Sequence, residues 1–134
     1  MSHANARVVC LVDDDSSLRK SLGRLLQSAG YEVLPFAESE AFLRYVATHF
    51  VPVVVLDVWM ETMSGMELLA HLCARSPQTR VIFITGREDR AAEATVMEAG
   101  ASAFLLKPLD DKRFLSAVEF AFADSSSKNG GSSS

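Results

Sequence analysis

Two hydrophobic patterns alternate along the chain. Short runs that are apolar at every position are followed by stretches whose apolar residues recur at helical spacing. "RVVCLV" (7–12) is the first run, and it stops at Asp13, Asp14 and Asp15. From Ser16 the period changes, and Leu18, Leu22, Leu25, Leu26 and Ala29 share one face of a predicted helix. Asp15 or Ser16 is its N-cap, and Gly30 sits just past its end. "YEVLPF" (31–36) reads as a weaker strand, with Pro35 marking an edge or the strand's end. Ser39 is placed to cap a second helix that turns Ala41, Phe42, Tyr45 and Val46 inward. Pro52 opens a strand over 53–56, and Gly65 precedes a helix that buries Leu68, Leu69 and Leu72. "RVIFIT" (80–85) is a strand ending at Thr85 and Gly86, and "DRAAEATVMEAG" (89–100) is a helix. "AFLL" (103–106) is the last strand, reaching Lys107 and Pro108, and "DDKRFLSAVEFAFA" (110–123) is the last helix.

This is a strand-helix unit repeated five times. Strands that are apolar throughout need cover on both faces, which predicts an α/β fold with a parallel sheet between helical layers. Right-handed crossovers then make it a doubly wound five-stranded sheet. In such sheets the site lies beyond the C-terminal ends of the strands. Residues 1–6 are expected to be a disordered N-terminus, 7–123 the single domain, and 124–134, "DSSSKNGGSSS", a flexible linker or tail.

Bulk properties narrow the function. With 134 residues, 49% hydrophobic and 22% charged, the composition is that of one ordinary globular domain. The net charge of −4 argues against direct nucleic-acid binding by this segment, because phosphate contacts need clustered Lys and Arg. No apolar run approaches the roughly 20 residues of a membrane span, and "MSHANAR" lacks the apolar core of a signal peptide. Cys10 and Cys73 lack metal-ligand spacing and read as reduced core or near-core residues, which suits a cytoplasmic location. His3, His49 and His71 are scattered and read as surface residues.

The run "VVVLD" then poses a problem, because an ionised carboxylate is costly to bury alone. The predicted topology brings Asp57 to the sheet edge that also receives Asp13 and Asp14, Thr85 and Lys107. Single polar residues after strands are usually turn formers or caps. Here the types are complementary. Clustered carboxylates repel unless they take up protons or share a hard cation such as Mg²⁺. Lys107 supplies a point charge that can pair with Asp57 or with an incoming phosphoryl oxygen, and Thr85 a hydroxyl donor for another such oxygen. Together they make a site for accepting a phosphoryl group on a carboxylate nucleophile.

These motifs, "VDDD", "LDVWMETMSG", "FITG" and "FLLKP", resemble the receiver domain of two-component response regulators over about residues 7–123. "FITG" and "MSGMELL" look most like the FixJ-type regulators, whose receivers usually precede a LuxR-like helix-turn-helix domain. The resemblance implies strand order 2-1-3-4-5 and Asp57 as phosphoacceptor. It implies Mg²⁺, with Mn²⁺ as a substitute, bound by Asp14 directly, by Asp13 mainly through water, by Asp57 and by the Trp59 backbone carbonyl. Thr85 and Lys107 would hold phosphoryl oxygens, Phe104 would be the aromatic switch, and the Lys107-Pro108 bond would be cis. The implied partners are a sensor histidine kinase as phosphodonor and a phosphorylation-dependent homodimer, with no membrane. The function is that of a signalling switch and not of a turnover enzyme. Its output is transcriptional control through a following DNA-binding domain, with protein–protein signalling by a stand-alone receiver as the alternative.

One position departs from the family pattern, which commonly has Pro four residues after the acceptor, where Glu61 stands here. Looser loop geometry and altered Mg²⁺ affinity are expected from it. Trp59 and Arg87 have two readings, as plain loop residues or as a rim that obstructs the hydrolytic water. Met60, Met63 and Met66 are core fillers or part of a kinase-contact surface. Asp15 and Asp110 read as helix-start residues. A haloacid-dehalogenase-type phosphatase needs a second Asp where Trp59 stands, and the Gly-rich phosphate loop of nucleotide enzymes is absent. A pseudo-receiver would have lost the acid pair, the acceptor or the lysine, and all are present.

Overall fold

The computed structural model describes residues 7–60 and 63–130. Five strands, β1 (Val8–Val12), β2 (Glu32–Phe36), β3 (Val53–Asp57), β4 (Arg80–Thr85) and β5 (Ala103–Leu106), alternate with five helices. The helices are α1 (Ser16–Ser28), α2 (Ser39–Val46), α3 (Gly65–Arg75), α4 (Arg90–Glu98) and α5 (Asp111–Gly130). All pairings are parallel, and the strand order is β2-β1-β3-β4-β5, as expected.

The continuous apolar runs are explained by two cores, one on each side of the sheet. Cys10, Val12, Val54, Leu56, Val81 and Phe83 pack with Phe42, Leu68, Leu72 and Val96 of α2, α3 and α4. The alternate residues Val9, Leu11, Val53, Val55, Ile82 and Ile84 pack with Leu22 and Leu26 of α1 and Phe114 and Val118 of α5. The three inner strands β1, β3 and β4 therefore bury both of their period-two faces. β3 and β4 are buried at every position, and they carry the site to the sheet's C-terminal edge.

Local chemistry sets the helix ends. Asp15 caps α1 by accepting from the Leu18 N–H, which decides between Asp15 and Ser16. Gly30 and Gly100 follow α1 and α4 with φ of 95° and 108°, a region open to glycine at no steric cost. Asp110 accepts from the Arg113 N–H at the start of α5, as expected of a helix-start residue.

Three expectations change. Ser39 does not cap α2: Glu38 holds that place without a side-chain bond, and Ser39 is fully buried with its hydroxyl 3.7 Å from Met60 Sδ. Ser64, unremarked in the sequence, forms a capping box with Glu67 at α3. Cys73 is exposed, because it lies on the outer side of α3, whereas Cys10 is buried and its thiol is pushed up to about 12 by desolvation. His49 and His71 are exposed, as expected. Helix α5 continues past residue 123 to Gly130, so the helical backbone enters the segment expected to be a flexible tail. The expectations for residues 1–6, Glu61 and 131–134 lie outside the described residues. No helix among the described residues is long and apolar enough to cross a membrane.

Candidate functional site

The strand ends deliver the side chains. β1 runs directly into Asp13, whose N–H donates to the Phe36 carbonyl at 3.1 Å, so the sheet's pairing continues one residue beyond the strand. Asp13 is 1% exposed. Its Oδ1 accepts from the Asp15 N–H at 2.9 Å, and its carbonyl accepts from Arg19 Nη1 at 2.6 Å. Asp57 is the last residue of β3 and is 7% exposed. Its Oδ1 accepts from the Trp59 N–H at 2.9 Å.

Lys107 resolves the question of the buried carboxylates. Its ammonium lies 3.0 Å from Asp57 Oδ2 and 3.5 Å from Asp13 Oδ2. One cation from the end of β5 thus bridges two acids from the ends of β1 and β3. Burial opposes the lysine's charge most strongly, but the hydrogen bond to Asp57 and the charges of Asp13 and Asp57 together outweigh it and hold its pKa above the ordinary 10.5. Asp13 moves the other way for an acid. Desolvation dominates and raises its pKa above 3.8, against the Asp15 hydrogen bond and the Lys107 charge.

The remaining expected residues are placed as follows. Thr85 is fully buried, and its hydroxyl is engaged with Arg87, donating to the carbonyl and accepting from the N–H at 3.2 Å each. Phe104 is partly buried against the core beneath α2, α3 and α4. The Lys107-Pro108 peptide is cis. Asp14 is exposed, unlike its neighbour Asp13. Trp59 is 40% exposed, and the Arg87 guanidinium lies 4.4 Å over its indole ring. Met60, Met63 and Met66 pack partly buried against the core, which supports the core-filler reading. Among the described residues no group of three or more His, Cys, Asp or Glu is gathered to hold a metal ion.

Gly65 is a site residue that the sequence reading passed over as a helix-start glycine. Its N–H donates to the Val58 carbonyl at 2.8 Å. A Cβ there would lie 2.6 Å from the Asp57 carbonyl oxygen and 2.8 Å from Phe83. Only glycine lets α3 close this tightly on the backbone of Asp57. The signal in the sequence was a glycine at the first helical position, where it has no propensity advantage.

A hard dication fits the donor chemistry: the acids Asp13, Asp14 and Asp57 and the backbone carbonyls are all oxygen donors, and Lys107 leaves the desolvation of Asp13 incompletely offset.

The comparisons with known proteins agree with this fold. Residues 9–119 match the family model of the response regulator receiver domain. The chain is 39% identical over 110 residues to the transcriptional regulatory protein FixJ of Azorhizobium caulinodans, covering 82% of this chain and 52% of that protein. It is 35% identical over 113 residues to FixJ of Bradyrhizobium diazoefficiens, covering 84% of this chain and 55% of that one. The chain thus spans about half the length of the curated relatives it matches. Among solved structures, FixJ-N superposes with a TM-score of 0.81 at 36% identity, covering 87% of this chain and 94% of that one. The beryllofluoride-activated NtrC4 receiver domain dimer superposes at 0.85 with 32% identity, covering 88% and 98%. The chain belongs to the response regulator receiver domain family, a signalling domain of two-component systems.

Proposed function

We propose that Asp57 accepts a phosphoryl group from the phosphohistidine of a sensor kinase in the cytoplasm, and that the domain changes conformation as a result. The observation that carries this reading is the Lys107 ammonium 3.0 Å from Asp57 Oδ2 at the sheet's C-terminal edge. A carboxylate oxygen of Asp57 attacks phosphorus, the phosphorus–nitrogen bond breaks, and the imidazole leaves with the bonding pair. Lys107 keeps the carboxylate oriented and takes a phosphoryl oxygen as charge moves onto the group. Asp13, Asp14, Asp57 and the Trp59 carbonyl would hold Mg²⁺, or Mn²⁺ in its place. When bound, it supplies charge neutralisation for the transferring group.

Thr85 then exchanges partners. Its hydroxyl gives up the Arg87 backbone for a phosphoryl oxygen, and Phe104 follows into the space vacated. The ligand in this switch is the covalent dianion, which stabilises one of two pre-existing arrangements. Trp59 and Arg87 form the rim that controls water access to the acyl phosphate.

The relatives named as transcriptional regulatory proteins support transcription as the output, which would run through a DNA-binding segment of a longer protein, and the solved dimer of the beryllofluoride-activated NtrC4 receiver domain supports a phosphorylation-dependent homodimer. A stand-alone receiver signalling by protein contact is the second reading. Intact mass after incubation with Mg²⁺ and acetyl phosphate tests the first step. A Mg²⁺-dependent gain of one phosphoryl group in the parent and none in Asp57→Asn is expected. A gain in the mutant, or none in the parent together with no beryllofluoride binding, rejects the reading.

A further inference from the structure

The outer edge of the fold carries a feature that phosphoryl chemistry does not use. A groove of about 370 Å³ runs between α1 and β2, with Arg19, Lys20 and Arg24 on its α1 wall and Val33 and Pro35 of β2 on its floor. No carboxylate lines it, in a chain whose net charge is −4. The cationic wall is therefore a local inversion of the protein's overall sign.

Gly23 sits in that wall, in the interior of α1. A mid-helix glycine costs about 1 kcal/mol relative to alanine. Neither usual reason for one applies. Its backbone is outside the left-handed region, and an added Cβ would meet nothing closer than Val33 Cγ1 at 3.9 Å. What the missing side chain does is leave the groove open down to Val33. Pro35, exposed on the edge strand β2, has no N–H to offer, so an incoming chain could not extend the sheet ladder there and would bind through its side chains.

We propose that the α1–β2 groove docks an acidic, leucine-bearing peptide segment of a partner protein. Apolar side chains enter the cleft over Gly23 and Val33, while carboxylates pair with Lys20 and Arg24 at its lip. The choice of a peptide follows from the charge and the floor. Three cations beside an apolar trough match alternating acid and apolar groups, whereas nucleic acid needs a wider basic stripe and would meet a net repulsive molecule. Arg19 of the groove wall reaches the Asp13 carbonyl, but the docking contacts fall on Lys20, Gly23, Arg24 and Val33, so docking is independent of the state of Asp57.

The test uses the whole chain and a short fluorescein-labelled peptide of alternating glutamate and leucine, read by fluorescence anisotropy. Arg19 is left intact, because its guanidinium holds the Asp13 carbonyl. Gly23→Leu fills the cleft with a strong helix former and keeps every charge. Lys20→Glu with Arg24→Glu reverses the lip. Each is expected to weaken the peptide roughly tenfold or more, while Asp57→Asn binds as the parent does. A lysine–leucine peptide is expected not to bind. Circular dichroism reports that each variant is folded, and acetyl-phosphate labelling that the two groove variants keep the site intact. No binding of the acidic peptide to the parent overturns the proposal. So does binding that Gly23→Leu leaves unchanged, or single-stranded DNA that competes as well as the peptide, since both would mean diffuse charge attraction without a built cleft.

Discussion

Lys107 and Asp57, fifty positions apart in the chain, meet at 3.0 Å at the edge where β5 and β3 end. The lysine also reaches Asp13 at 3.5 Å, so its loss leaves two buried acids without their shared cation. Lys107→Met is expected to lower stability by about 1–3 kcal/mol at neutral pH, less than a fully buried pair would lose because the lysine side chain keeps 24% exposure. Mg²⁺ is expected to stabilise this variant more than the parent, because it no longer competes with the ammonium for the same oxygens. The raised lysine pKa fixes the alkaline side: the stabilisation is complete below 10.5 and is lost as pH rises through the folded-state value. Urea unfolding of parent and variant, with and without Mg²⁺ and from neutral to alkaline pH, checks all three. A variant as stable as the parent in chelator would show that the bridge adds nothing.

Asp13 gives a prediction of opposite sense for an acid. Its folded-state pKa lies above 3.8 because burial disfavours the charge. The folded protein therefore holds a proton that the unfolded chain releases, and Asp13's contribution is present below 3.8 and lost as pH rises through the folded value. The neutral amide of Asp13→Asn keeps the acceptor for the Asp15 N–H and escapes that loss. In chelator, the variant is expected to gain stability relative to the parent as pH rises from about 3 to 7, while losing Mg²⁺-dependent phosphorylation. A difference between the two that is flat across this range would contradict the burial argument. The expected gain would mean that the carboxylate is kept for chemistry at the expense of the fold.

Gly65 links the same acid to the backbone beneath it. A methyl at this position would sit 2.6 Å from the Asp57 carbonyl oxygen and 3.0 Å from Val58 Cα, and neither atom belongs to a flexible side chain. Gly65→Ala is expected to cost about 1–3 kcal/mol by overpacking and to slow acetyl-phosphate labelling as Asp57 shifts. Gly30→Ala, at an open turn, is expected to strain φ without touching labelling. Thermal melts and labelling rates together separate the two. Equal labelling in Gly65→Ala and parent would mean that α3 can retreat without moving the site.

The sheet and its polar edge were legible because each rests on a strong local pattern. A run such as "VVVLD" has one reading once helices flank it, and a carboxylate ending it must be compensated by something the topology delivers. Lys107 was readable as that compensation. What the pattern could not carry is side-chain direction within a turn. Asp13 and Asp14 are equivalent as letters, yet only Asp13 points inward to Lys107. Ser39 looks like a cap and is instead buried toward Met60, and Cys73 is apolar in composition yet lies on an outer helical face. The role of Gly65 depends on how closely a helix approaches a strand, a distance that no periodicity encodes.

Trp59 and Arg87 make the last prediction, because their contact joins two loops that each bind the site through the backbone. The Trp59 N–H donates to Asp57 Oδ1, and the Arg87 N–H donates to Thr85 Oγ1. The guanidinium over the indole at 4.4 Å closes the gap between them. A cation–π contact at an exposed site is worth about 0.5–1 kcal/mol. If it holds the rim against the water that hydrolyses the phosphorylated carboxylate, Arg87→Ala shortens the phosphorylated half-life by about two- to fivefold. Trp59→Asn removes both the clamp and the screen and shortens it further. The double variant matches Trp59→Asn, because an arginine without its indole has nothing left to hold. Loss of phosphorylated mass with time, after removal of acetyl phosphate, measures each half-life. Single effects that simply add in the double variant would mean that the two residues act separately and that their stacking has no kinetic role.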